Sequence, residues 1–121
     1  MSSPRLSRVT ALLASSPRRP HGDTRCGMEI ELCLTADSQP DPHACGMGEP
    51  WRVRRFWSDR PDWHGLLVAH DDETWAMRSA ADPDEPLWDL RARTFRPGEY
   101  VTLRRPDGSE LAFRIVSVEA V

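Results

Sequence analysis

The sequence predicts a mainly β, α+β fold: a small, strongly bent antiparallel sheet or partly open barrel, with one short helix and a disordered N-terminal arm. Three observations predict it. Eleven prolines and seven glycines in 121 residues punctuate the chain too often for long helices, because proline removes a backbone donor and breaks helix interiors. Between these breaks, short runs alternate apolar and polar side chains with period two, the mark of a strand with one face buried. The stretch EYVTLRRPDGSELAFRIV near the C-terminus spells a hairpin around a Pro-Asp-Gly corner. A chain of this length has room for one core.

Residues 1–27 are rich in Ser, Arg and Pro and hold only the brief apolar patch Val9 to Leu13. Such a composition buries too little apolar surface to offset the entropy of ordering, which predicts a disordered arm. The domain is placed at residues 28–121, and Met28 offers a second start. Its first strand is MEIELCLT, in which Met28, Ile30, Leu32 and Leu34 alternate with Glu29, Glu31 and Cys33. A long loop dense in Pro, Gly and Asp follows. In WRVRRFW, Trp51, Val53 and Arg55 then alternate with Arg52, Arg54 and Phe56. HGLLVAH and TWAMRS, joined by DDE, form a hairpin. The helix is predicted within AADPDEPLWDLRARTF, where Asp84 suits a cap, Pro86 a first helical position, and Leu87, Leu90 and Ala92 give partial helical spacing.

In the closing hairpin, Pro106 presets one corner, Asp107 tolerates the next and Gly108 takes positive φ at little cost. Val101 and Leu103 share one face, as do Leu111, Phe113 and Ile115. Beyond Ile115 the apolar positions become Val116 and Val118, a change of face that a bulge or a strand curling around a barrel explains.

Charge restricts the partners. The chain carries a net −3, with all sixteen basic residues arginine and no lysine or asparagine, the mark of a high-GC, bacterial genome. Residues 1–27 hold five arginines against Asp23, a net +4, whereas the remainder holds eleven arginines against eighteen acids, a net −7. A body that acidic repels a phosphate backbone unless its arginines gather on one face. Three irregularly spaced cysteines make no disulfide framework and no signal-peptide apolar region precedes them, which fits a reducing cytoplasm. The longest aliphatic runs, ALLA and LLVA, are far short of the roughly 18 residues that cross a bilayer. No membrane association is expected.

Few residues point to chemistry. His21, Cys26, Cys33, His43 and Cys45 are ligand types for zinc, but structural sites bring ligands in pairs two to four residues apart, and only His43 and Cys45 are that close. No metal and no cofactor is predicted. His64 and His70, six residues apart on a strand, would lie about 20 Å from each other, too far to share a proton. No nucleophile motif or glycine-rich phosphate loop occurs, so no catalytic residue is assigned and the chain reads as a non-enzyme. Five tryptophans can serve as core, given the area each buries, or as surface. In the surface reading, WRVRRFWSDRPDW is an aromatic and arginine patch that anchors a protein or stacks single-stranded bases. Its residues are Trp51, Arg52, Arg54, Trp57 and Trp88. Arg52 and Arg54 share one strand face, and the acidic body favours a protein partner.

The C-terminal third carries a family resemblance. DEPLWDLRARTFRPGEYVTLRRPDGSELAFRIVSVE resembles the C-terminal, FKBP-like domain of the Gre transcript-cleavage factors over residues 82–119. Pro86 and Leu87 match the start of the family's short helix, Gly98 and Glu99 its strand opening, Pro106 and Gly108 its turn, and Phe113, Ile115, Val118 and Glu119 its last strand. Trp88 and Asp89 depart from the family pattern, and residues 1–50 lack the heptads of its N-terminal coiled coil, so cleavage stimulation is not implied. The resemblance implies a β-rich domain that docks on RNA polymerase or another protein. The chain is therefore expected to be a small cytoplasmic protein-binding module. The alternatives are single-stranded nucleic-acid binding through the same patch, or a metal protein or enzyme centred on the histidines and cysteines.

Overall fold

Period-two alternation runs through more of the chain than the predicted domain, and the strands it makes close on themselves. The computed structural model describes residues 4–41, 51–70 and 74–121. Its elements are β1 (Arg5–Ser15), β2 (Asp23–Leu34), β3 (Trp51–Trp57), β4 (Arg60–Ala69), β5 (Thr74–Ser79), β6 (Trp88–Arg91), β7 (Tyr100–Arg104) and β8 (Glu110–Ala120). Each strand pairs antiparallel with the next and β8 pairs back with β1, so the eight strands form a closed up-and-down barrel.

Eight strands enclose an interior just wide enough for side chains to fill or to hold one small ligand. Much of this interior is filled. Val9, Met28, Ile30, Leu32, Leu67, Met77, Leu90, Leu103, Leu111, Phe113 and Ile115 are all buried on the inner faces, each worth about 1.5–3 kcal/mol of apolar burial. Alternate positions face outward and are largely charged, among them Arg8, Glu29, Glu31, Arg52, Arg54, Arg78 and Arg91. This is the reverse of a transmembrane barrel, whose lipid face is apolar. No helix among the described residues is long and apolar enough to cross a membrane.

The two ends of the barrel differ. At one end the β6–β7 connection folds inward, burying Ala92 and Phe95, and the Phe95 N–H donates to the Ser38 carbonyl at 2.8 Å. Trp51 and Trp75 pack together at this stoppered end, ring centres 4.9 Å apart and planes tilted by 34°. The opposite end is framed by the β1–β2, β3–β4, β5–β6 and β7–β8 connections and stays open.

Several expectations hold. β4 and β5 form the predicted hairpin, as do β7 and β8. Gly108 sits at φ +88°, and the turn is closed by the Gly108 N–H on the Arg105 carbonyl at 2.9 Å. The change of face after Ile115 is a bulge: Thr10 pairs with Ser117 and Ala11 with Ile115, skipping Val116.

Four expectations are corrected. The barrel is closed rather than partly open. The helix predicted within residues 80–95 is absent: turns lead into β6, where Trp88 and Leu90 face inward and Asp89 and Arg91 outward, with Ala92 buried just beyond, so pairing with β5 prevails over partial helical spacing. The arm predicted to be disordered supplies β1 and the start of β2. Val9, Ala11 and Leu13 point into the core, and β1 pairs on both sides, with β2 and β8. Met28, the alternative start, lies in mid-strand. Finally, Cys33 is disulfide-bonded, whereas Cys26 is a free buried thiol. Cys33 faces outward on β2 yet is fully covered, beneath a segment whose Asp41 N–H donates to the Cys33 carbonyl at 2.9 Å.

Candidate ligand site in the barrel mouth

On β3 the inner face reads Trp51, Val53, Arg55, Trp57, running from the stoppered end to the open one. Strand alternation therefore places an arginine inside the barrel, one position below the rim. Arg55 is only 7% exposed. Its guanidinium lies between two indoles, 4.0 Å from the Trp63 ring centre and 3.6 Å from that of Trp88, a double cation–π stack. Trp63 reaches this position because of Gly65, two residues further along β4. A Cβ at Gly65 would overlap the Trp63 ring and the Arg78 carbonyl oxygen.

Arg55 has no ion pair among the described residues. Its Nε is sealed from solvent without a hydrogen-bond partner, so the charge is desolvated and little compensated. Burial pushes its pKa down to about 10, against an opposing pull from Glu85. Glu85, the carboxylate whose charge acts on Arg55, is engaged elsewhere: its Oε2 accepts the Trp63 Nε1–H at 2.8 Å. Ser79 helps hold the segment that delivers Glu85, its Oγ accepting the N–H groups of Ala81 and Asp82 at 3.2 and 3.1 Å.

Above Arg55 lies a cavity of about 840 Å³. Trp57, Trp63, Trp88 and Leu111 give it apolar walls, and its rim carries both charge signs. Most of the rim charges are already bonded to neighbours. Asp59 pairs with Arg60 at 3.2 Å and Asp62 with Arg54 at 2.8 Å, while Asp107 accepts from the Ser109 N–H and Oγ at 2.8 and 2.6 Å. Arg105 Nε donates to Ser109 Oγ at 2.7 Å, and Arg19 pairs with Asp23 at 3.3 Å. The Asp107 carboxyl is held below its usual value by its hydrogen bonds from Ser109.

The residues predicted to form one partner-binding patch divide among three places. Trp51 is 3% exposed in the barrel interior. Arg52 and Arg54 stand on the outer wall beside His64, around a depression of about 310 Å³. There Arg54 is tied to Glu29 and Asp62, contacts that raise its pKa, Glu29 first. Trp57 and Trp88 come together at the mouth, where Trp57 also packs edge-on against Phe113 at 6.3 Å. Arg55 was not among the predicted site residues. Its signal was visible nonetheless: an arginine on the apolar face of the β3 alternation.

Among the zinc-type residues, Cys26 faces the core, Cys33 is oxidised and His21 lies in the β1–β2 connection, while His43 and Cys45 lie outside the described residues. No cluster of three metal-ligating side chains occurs among the described residues. His64 is on the outer face of β4 and His70 just past its end, so neither reaches the mouth. Residues 82–119, which carry the Gre resemblance, form β6, β7 and β8. Comparison with protein-family models, characterised proteins and solved structures returned no match to this chain.

Proposed function

We propose that this protein is a binding module that takes a small molecule into the open mouth of its barrel. The observation that carries the reading is the asymmetry of the interior. One end is packed shut by Phe95 and the Trp51–Trp75 pair, whereas the other holds a cavity walled by three tryptophans over a buried arginine. A pocket of several hundred Å³ with apolar walls and one convergent polar group is the usual form of a small-molecule site. Tryptophans that served only as core would be packed against neighbours on all sides. Trp57, Trp63 and Trp88 are instead half-buried and share the cavity.

The mouth is favoured over the outer wall as the working surface. Arg54 is neutralised by two carboxylates there, which leaves little net attraction for the docking partner, RNA polymerase included, that the sequence resemblance implies. The mouth also suits binding rather than catalysis, because each carboxylate lining it already holds a donor. The test is a 15N–1H correlation titration of the full chain with small aromatic compounds, charged and neutral. Shifts should concentrate on the indole N–H signals of Trp57, Trp63 and Trp88 and on the neighbouring strand ends. Shifts confined to the Arg52 and His64 wall, or no shifts at all, would overturn the proposal.

A further inference from the structure

We infer that the molecule taken into the mouth is a compact organic anion, a monocarboxylate on a flat apolar body, held by Arg55 as its counter-ion. This rests on the mouth being the ligand site and specifies what it accepts.

The geometry narrows the choice stepwise. The Arg55 guanidinium carbon lies over both the Trp63 and the Trp88 ring, so the two indoles take up space around it and the N–H edge is what remains for a partner. An in-plane approach to a guanidinium edge is the one that matches the two oxygens of a carboxylate, which accept two parallel N–H bonds. Nε is sealed without a partner, whereas the terminal nitrogens are not among the sealed atoms and Arg55 lines the cavity. The donors left for a ligand are therefore those at the tip of the fork. A buried charge without a counter-ion is unfavourable until an opposite charge arrives. No side chain among the described residues fills that place, Glu85 being turned to Trp63.

The walls define the rest of the ligand. Trp57, Trp63, Trp88 and Leu111 offer flat apolar surface, on which a planar ring system stacks well. The rim argues for a single anionic group. Arg18, Arg19, Arg60 and Arg105 line the entrance along with Asp59, Asp62, Glu85 and Asp107, so the charges of the entrance balance among the described residues and the one cation left over for a ligand is Arg55. A monoanion presents its one charge to Arg55 at the floor.

The probes are 1-naphthoate and its neutral counterpart 1-naphthamide, titrated into the full-length protein by calorimetry, with indole N–H shifts locating the complex. The carboxylate should bind at the mouth at least about tenfold more tightly than the amide, the difference expected for one charge-assisted pair. R55M should bring the naphthoate affinity down to that of the amide and leave the amide unchanged. R55K, which keeps the charge but not the fork, should fall between. Equal affinity of the wild-type protein for the two probes at the mouth would overturn the anion inference and leave the mouth as a site. Failure of both probes to shift the mouth indoles would overturn the site itself. Should R55M not fold, the wild-type preference for naphthoate over naphthamide still decides. R55K binding naphthoate as tightly as wild type would refute the in-plane fork.

Discussion

Replacing Arg55 by methionine should make the ligand-free protein more stable while it weakens anion binding. In the folded state burial pushes the Arg55 pKa from its usual value down to about 10. The gap corresponds to roughly 3 kcal/mol disfavouring the charged form relative to the unfolded chain. A basic group whose folded pKa is depressed lowers stability wherever it is charged in both states. Here that covers all pH below about 10, so the cost is fully present at neutral pH. Against it stand the two indole stacks at 4.0 and 3.6 Å, each worth about 1 kcal/mol. Methionine has a similar length and keeps sulfur-to-ring contact with both indoles. The net expectation is a gain of about 1 kcal/mol, or roughly 4 °C in Tm for a domain of this size. Urea unfolding followed by far-ultraviolet circular dichroism, with the slope compared between variants, measures it. A loss of 1 kcal/mol or more at unchanged slope would show that Arg55 supports the fold, and the argument from an uncompensated charge would fail.

Three further outcomes follow from the same geometry. G65A should force the Trp63 ring off the guanidinium and strain the β4–β5 pair, since a Cβ there overlaps both the ring and the Arg78 carbonyl; overpacking of this kind costs about 1–3 kcal/mol, and unchanged stability with unchanged Trp63 fluorescence would contradict it. A chain starting at Met28 loses β1, which pairs with both β2 and β8, so it should show no cooperative thermal transition; a melt like that of the full chain would remove β1 from the barrel. D107N tests the β7–β8 turn. The Asp107 carboxyl is depressed below 3.8 by Ser109, so its contribution is present above that pH and lost as pH falls through the lower folded value. The stability gap between wild type and D107N should therefore close in acid, and a gap constant with pH would refute the assignment.

Local features were legible in the sequence because they depend on a few neighbouring residues. Gly108 takes positive φ where the Pro-Asp-Gly corner calls for it, β4 and β5 pair as their two apolar runs suggest, and the faces of β3 follow from simple alternation. What depended on distant partners was not legible. Residues 1–27 read as an unstructured arm because they are rich in Ser, Arg and Pro; the inner row of Val9, Ala11 and Leu13 on β1 becomes valuable only between β2 and β8, about a hundred residues away for the latter. The closure of the barrel is that same pairing. Around Trp88, helical and strand spacing both fit the apolar residues, and the free edge of β5 decides between them. At the site, exposed arginines drew attention because charge usually sits outside. The informative residue was Arg55, whose position on an apolar face implies burial, which is costly for an arginine and so needs a reason.

That reason is not the closing of the barrel. A leucine or methionine would fill the space between Trp63 and Trp88 without desolvating a charge, and replacing buried ionic groups by apolar ones is often stabilising. Nor is it an ion pair among the described residues, because Glu85, the carboxylate whose charge acts on Arg55, is bonded to the Trp63 indole N–H instead of the guanidinium. The Trp63–Glu85 contact also fixes the ring that covers one face of Arg55, while Gly65 provides the room for it. The two indoles thus hold the guanidinium in place, and no side chain among the described residues accepts from it. A group oriented at this cost and left unpaired is preorganised for an acceptor that comes from outside, which is why the affinity difference between a carboxylate and its amide bears more directly on this protein than any measurement on its outer wall.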